Sequence, residues 1–231
     1  MIFPIKRKNN EINDNKSFSY YNLLETFKQD GCPICLLLQK TIDGYFESLL
    51  YENVNDPFVR KGIKGSFGYC KKHSIQIEKV AEHSFQDFGL AIIIEDLANM
   101  LIERYKDLNK PAEKQGRRKR SPKVCPAYIY ENTFKEIYAS EIARGIKDEK
   151  FFNKFKDGSG LCFDHLIAVK KYITDSSDLK KLLEFQESVV KKTIQDLRSF
   201  IKKHDYRTKE PITITEALAR KKALRKIVGE F

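Results

Sequence analysis

The chain has 231 residues, 41% of them hydrophobic and 12% aromatic, with 43 Lys and Arg against 32 Asp and Glu for a formal charge of +11. Its 16 Phe and 11 Tyr supply more apolar surface than a disordered or low-complexity chain carries. The apolar runs, residues 36–38 and 91–94 among them, fall far short of the roughly 20 residues that cross a bilayer. Residues 1–8 put a short apolar start ahead of their basic side chains, the reverse of a secretory leader, so the cytosol is the expected compartment. Five cysteines, an odd number in a clustered pattern, then point to metal or redox chemistry rather than to a disulfide framework.

In chain order, residues 20–27 form the first predicted helix, with Leu23, Leu24 and Phe27 inward. After Cys32-Pro33, the spacing of Leu38, Ile42, Tyr45, Phe46, Leu49 and Leu50 predicts a helix over about 33–51, weakened slightly by Gly44. Asp56-Pro57 is a natural cap and first-turn pair for a short helix that buries Phe58, Val59 and Ile63 and ends at Gly65 and Gly68. A third helix begins near Cys70. After a break near Ser84, a fourth carries Phe88, Ile92, Leu97, Leu101 and Tyr105. Residues 106–123, with eight basic side chains against Asp107 and Glu113, read as an extended linker of net charge +6.

The second half follows the same plan. Its last helix, about 26 residues and roughly 40 Å long, has Leu179, Leu182, Leu183, Val189, Val190, Ile194, Leu197, Phe200 and Ile201 on one stripe. Thr213 and Glu216 have capping-box spacing and open a basic C-terminal helix that runs to about Val228. No segment alternates apolar and polar residues over a strand's length, so the fold class is all-α, a helical bundle.

The two halves share more than a plan. Cys32-Pro33-Ile34-Cys35 is followed 38 residues after Cys32 by Cys70-Lys71-Lys72-His73, and Cys125-Pro126-Ala127-Tyr128 is followed 37 residues after Cys125 by Cys162-Phe163-Asp164-His165. Tyr45 with Tyr138, Asp56 with Asp148 and Lys64 with Lys156 fall into register at nearly the same offsets. We read a duplicated unit of about 90 residues: 1–108 as the first repeat, 109–124 as linker, 125–207 as the second repeat and 208–231 as the basic C-terminal helix.

Cys32, Cys35, Cys70 and His73 make two pairs with two intervening residues each, the spacing of a closed tetrahedral zinc site, and the reading gives the first repeat one structural, zinc-knuckle-like ion. The same donors also serve an iron–sulfur cluster, and Cys32/Cys35 alone would serve as a thiol-redox pair of glutaredoxin type, although the strands that fold needs are missing. In the second repeat Tyr128 replaces the second cysteine, leaving Cys125, Cys162 and His165 as a degenerate site or, with its fourth position open, a catalytic one. His204, Asp205, Tyr206 and Arg207, at the end of the long helix, are either a functional element or a helix terminus. Arg117, Arg118, Lys119, Arg120, Arg220, Lys221 and Arg225 are candidates for an acidic partner, nucleic acid or protein, whereas docking on a membrane surface is the weaker expectation.

The doubled C-P-x-C and C-x-x-H arrangement, the run from Leu49 to Pro57, the segment Gly89-Leu90-Ala91-Ile92 and the element from Phe200 to Arg207 together resemble an uncharacterised family of cytosolic bacterial proteins known as a domain of unknown function. The resemblance covers roughly residues 20–229. It implies a cysteine at both ends of C-P-x-C in each half, from which Tyr128 departs, and a retained His-Asp-Tyr-Arg element. The functional expectation is a zinc-stabilised binding or adaptor protein; the alternative is a metal-dependent or thiol-redox enzyme.

Overall fold

The computed structural model of the chain describes residues 16–108 and 124–230, and every regular element among them is helical. In order these are α1 (Phe18–Thr26), α2 (Pro33–Ser48) with a π-helical extension (Leu49–Asn53), α3 (Pro57–Ser66), α4 (Lys71–Ser84), α5 (Asp87–Leu108), α6 (Pro126–Gly145), α7 (Glu149–Lys156), α8 (Phe163–Lys170), α9 (Ser176–Lys203) and α10 (Ile214–Val228). The basic stretch 109–123, with Arg117, Arg118, Lys119 and Arg120, lies outside the described residues.

Local chemistry sets the starts. Asp56, Asp148 and Asp175 each accept hydrogen bonds from two first-turn amides of α3, α7 and α9, and Thr213 and Glu216 complete the expected capping box of α10. Proline occupies the first turn of α2, α3 and α6. The cap positions of α2, α4, α6 and α8 are taken by Cys32, Cys70, Cys125 and Cys162, and none of these side chains makes a capping hydrogen bond. Four sulfurs therefore sit at helix starts with their lone pairs uncommitted to the helix.

The centre is the pair α2 and α6. The Thr41 and Tyr138 hydroxyls meet at 2.8 Å and the Tyr45 and Tyr130 rings at 4.9 Å, so residue numbers rise along one helix as they fall along the other: the pair is antiparallel. One core takes Ile34, Leu37 and Leu38 from the start of α2, Tyr138, Ala139 and Ile142 from the end of α6, and Leu23, Phe151, Phe155, Val169 and Leu182 from α1, α7, α8 and α9. The other takes Ile42 and Phe46 from the end of α2, Ala127 from the start of α6, and Ile63, Ile77, Leu90 and Ile93 from α3, α4 and α5. Each core thus draws helices from both sides of the basic stretch.

Three packing expectations are corrected. Phe58 is 85% exposed, because the buried line of α3 runs through Ile63, with Val59 half-buried four residues before it, and Phe58 lies about 100° round the helix from Val59. Phe88 is 81% exposed and Leu101 and Tyr105 are exposed too, while Leu90 and Ile93 are buried. The cause is Gly89: a Cβ there would lie 2.6 Å from the Leu50 carbonyl oxygen, and this close approach to the π-helical turn sets which face of α5 points inward. On α9 only the start of the expected stripe is fully buried, at Leu182; Leu183, Val190, Ile194 and Ile201 are exposed, because the inward line of α9 runs through Leu182, Gln186 and Thr193 instead. The Lys203 ammonium ties α9 to the Glu216 carboxylate of α10 at 2.9 Å.

Candidate metal centres

The antiparallel crossing of α2 and α6 decides which donors meet. It carries the start of α2 to the start of α8 and the start of α6 to the start of α4. Cys32, Cys35, Cys162 and His165 form one group and Cys70, His73 and Cys125 a second, with the donor atoms of each group all within 4.8 Å of one another. The spacing-based grouping of Cys32 and Cys35 with Cys70 and His73, and of Cys125 with Cys162 and His165, is corrected: neither set is brought together, because each C-x-x-H pair lies against the first helix of the other half. The ligand types and the two-residue spacings are as read, and the partners are exchanged.

The four-donor group has the dimensions of a metal site. Tetrahedral zinc, with bonds of about 2.3 Å to sulfur and about 2.0–2.1 Å to nitrogen, places sulfurs about 3.8 Å apart and sulfur about 3.6 Å from nitrogen. Here Cys35 Sγ is 3.8 Å from Cys162 Sγ, and His165 Nδ1 is 3.1, 3.2 and 3.4 Å from the sulfurs of Cys162, Cys35 and Cys32. Cys32, Cys162 and His165 are buried, so solvent does not satisfy these donors. Burial opposes ionisation of the Cys32 thiol, yet hydrogen bonds from Cys162 and Cys35 hold it well below the ordinary thiol range. Cys35, which shares those protons, is driven up, chiefly by Cys162. A divalent cation held by these donors would favour the thiolate form of the sulfurs.

The tail after α10 closes this group, which sequence reasoning missed. Glu230 donates its backbone N–H to Cys35 Sγ at 3.5 Å, and its Oε1 accepts the Cys32 N–H at 3.2 Å. Gly229 (φ +85°) passes so close that a Cβ would lie 3.4 Å from Cys35 Sγ and 3.8 Å from Cys162 Sγ. Arg225 Nε holds the other Glu230 oxygen at 2.7 Å, and the Lys226 ammonium caps the carbonyls of Ser159 and Gly160, just before α8. Burial pushes the Lys226 amine down, against the pull of Cys32, Cys162 and Glu230. Arg225 is therefore corrected from a candidate for an acidic partner to an internal brace, whereas Arg220 and Lys221 are exposed. A glycine and an acid after a basic helix have no spacing relation to Cys32 or Cys35, so the sequence carried no signal for this lid.

The three-donor group is more open. His73 Nδ1 lies 3.2 Å from Cys70 Sγ and 3.5 Å from Cys125 Sγ; His73 is fully buried and Cys70 exposed. Behind the ring, Glu131 Oε2 is 3.3 Å from His73 Nε2, and Glu131 also pairs with Lys72. Burial penalises the Glu131 charge, but His73 and then Lys72 hold the carboxyl down to about 2.

His204, Asp205, Tyr206 and Arg207 join neither group. His204 is the C-cap of α9, with Nδ1 2.9 Å from the Phe200 carbonyl oxygen. Arg207 donates to both Asp205 oxygens, at 3.0 and 2.6 Å, and Tyr206 is 93% exposed. The element closes the turn between α9 and α10.

No helix among the described residues is long and apolar enough to cross a membrane. Comparison with known proteins agrees with the resemblance seen in the motifs. An uncharacterized 23.9 kDa protein from Caldicellulosiruptor sp. (strain Rt8B.4), in the xynA 3' region, is 28% identical over 187 residues, which cover 80% of this chain and 88% of that one. No solved structure matches the chain. The pattern of DUF6062, a family of unknown function, matches residues 20–231, and the chain belongs to that family.

Proposed function

We propose that this chain is a zinc-stapled helical binding protein of the cytosol, in which Cys32, Cys35, Cys162 and His165 hold one structural ion and the fold presents basic segments to an acidic partner. The observation that carries the reading is the meeting of four donors from segments some 130 residues apart at 3.1–3.8 Å, under a lid made by Gly229 and Glu230. Four protein ligands leave no position for water, so the ion's role is to join α2 to α8. We read the two halves as a duplication whose first helices have exchanged partners. In support, Asp56 and Asp148 cap equivalent helices, Gly68 and Gly160 both have positive φ, and Cys70 and Cys162 both precede a C-x-x-H helix. The alternative of a free Cys32/Cys35 dithiol is disfavoured by the commitment of both sulfurs to the group.

Exposed Arg220 and Lys221, together with the positive charge that the sequence carries in residues 109–123, would attract nucleic acid or an acidic protein. Metal analysis of the wild type, Cys162→Ser and Cys70→Ser tests the staple. Cys162→Ser should lose the closed-site ion and open Cys35 to alkylation, and Cys70→Ser should do neither. Equal alkylation of Cys35 in all three proteins removes the reading. The binding role requires affinity for RNA or a polyacidic protein that falls steeply with salt and weakens in Arg220→Ala/Lys221→Ala.

A further inference from the structure

We propose that the group formed by Cys70, His73 and Cys125 holds a second metal ion with one exchangeable position, and that this position takes a small thiol from solution. The inference rests on the metal reading of the closed group and extends it to a site of different chemistry. The comparison of α2 with α6 is the argument. Each helix starts with a cap cysteine followed by proline, and on α2 the residue three places on, Cys35, turns its sulfur to 3.2 Å from the ligating histidine. On α6 that place belongs to Tyr128, which is half exposed and carries no metal-binding sulfur. Two sulfurs and one imidazole nitrogen therefore fill three vertices of a tetrahedron, and no fourth Cys, His, Asp or Glu donor joins them among the described residues.

Two further features separate this group from the closed one. The lid of Gly229 and Glu230 lies over Cys35 and Cys162, whereas Cys70 is exposed. Glu131 Oε2 lies behind His73, 3.3 Å from Nε2, and the opposite ring nitrogen, Nδ1, faces the Cys70 and Cys125 sulfurs at 3.2 and 3.5 Å. A divalent ion on two thiolates and a neutral imidazole has no net charge and a soft donor set, and a thiolate is the fourth ligand that matches it best. In the exchange a bound water leaves, the thiol gives its proton to solvent, and the sulfur lone pair makes the metal bond; nothing is oxidised.

The test uses the full chain loaded with Co2+, whose visible bands report ligand changes, and 2-mercaptoethanol as the probe. We expect two ions per chain and a band shift on adding thiol. In Tyr128→Cys, which supplies the missing donor at an exposed position, two ions should remain and the shift should vanish. Cys125→Ser should lose one ion and the shift together. Two ions with no shift in the wild type, or a shift that survives in Tyr128→Cys, overturns the open position. One ion per chain, kept in Cys125→Ser and lost in Cys162→Ser, overturns the second site and leaves the closed one standing. No bound ion at all defeats the metal reading on which both depend.

Discussion

Extracting the ion from the closed group should weaken the fold by an amount set mainly by chain length. An ion held there, as proposed, would cross-link Cys35 to Cys162, residues 127 apart in sequence. The chain-entropy relation for a closed loop of that size gives about 5 kcal/mol at 25 °C, with native-state strain and residual unfolded structure lowering the measured figure. A chain of 231 residues has a guanidinium slope of roughly 5 kcal/mol/M, so full extraction should lower the midpoint by up to about 1 M. The assay is guanidinium denaturation followed by helical circular dichroism, with and without a chelator, alongside metal analysis of the same samples. Cys162→Ser should start near the chelated wild-type midpoint and respond little to chelator. A wild type that gives up its metal with an unmoved midpoint would refute the reasoning, as would a Cys162→Ser protein that responds as strongly as the wild type.

Further outcomes follow from single residues. Gly89→Ala should destabilise by about 1–3 kcal/mol in thermal denaturation, because its Cβ would meet the Leu50 backbone oxygen at 2.6 Å. Gly44→Ala, inside α2 with nothing within 4 Å of the new carbon, should instead stabilise by about 0.5–1 kcal/mol. Glu230→Ala removes the carboxylate that braces Cys32 and Arg225, and should raise the rate of chelator extraction from the closed group roughly 10–100-fold while Cys70 alkylation stays unchanged. Glu216 is held down to about 2 by Ser199, the Thr213 amide and Lys203, so its stabilising contribution is complete above its ordinary value of 4.5 and is lost as pH falls toward 2. The stability difference between the wild type and Glu216→Gln should therefore shrink over that window, and a difference constant from pH 6 to pH 2 would contradict the assignment.

Much of the fold is legible in the sequence because it is written in short-range chemistry. Asp56-Pro57, Thr213 with Glu216, and the Cys-Pro starts each place a helix terminus through groups within four residues of one another. The candidate donors are legible for the same reason: a two-residue gap at a helix start is local geometry. The pairing of those donors is not local. Two C-P-x-x starts and two C-x-x-H starts can combine within each half or across halves, and only the antiparallel crossing of α2 and α6, seen in Thr41 against Tyr138, selects the second. Hydrophobicity alone points Phe58 and Phe88 inward, whereas rotation about each helix is fixed by the neighbours of Ile63 and by the approach of Gly89 to Leu50. Basic charge on α10 likewise marks a surface only where nothing answers it: Arg220 is exposed, and Arg225 holds Glu230.

The exchange of partners has a temporal side. As the chain leaves the ribosome, Cys32, Cys35, Cys70 and His73 emerge first, and by type and spacing they could themselves hold one zinc ion. Their proper companions arrive only with Cys125, Cys162 and His165, the last of them 92 residues after His73. At about 5–20 residues per second that interval lasts roughly 5–20 s. During it the nascent first half would offer four donors that the folded chain does not bring together, and any zinc captured there would have to be released before Cys32 and Cys35 could meet Cys162 and His165. Free zinc concentration during synthesis, rather than in the finished protein, would then govern how much of the chain reaches its native arrangement.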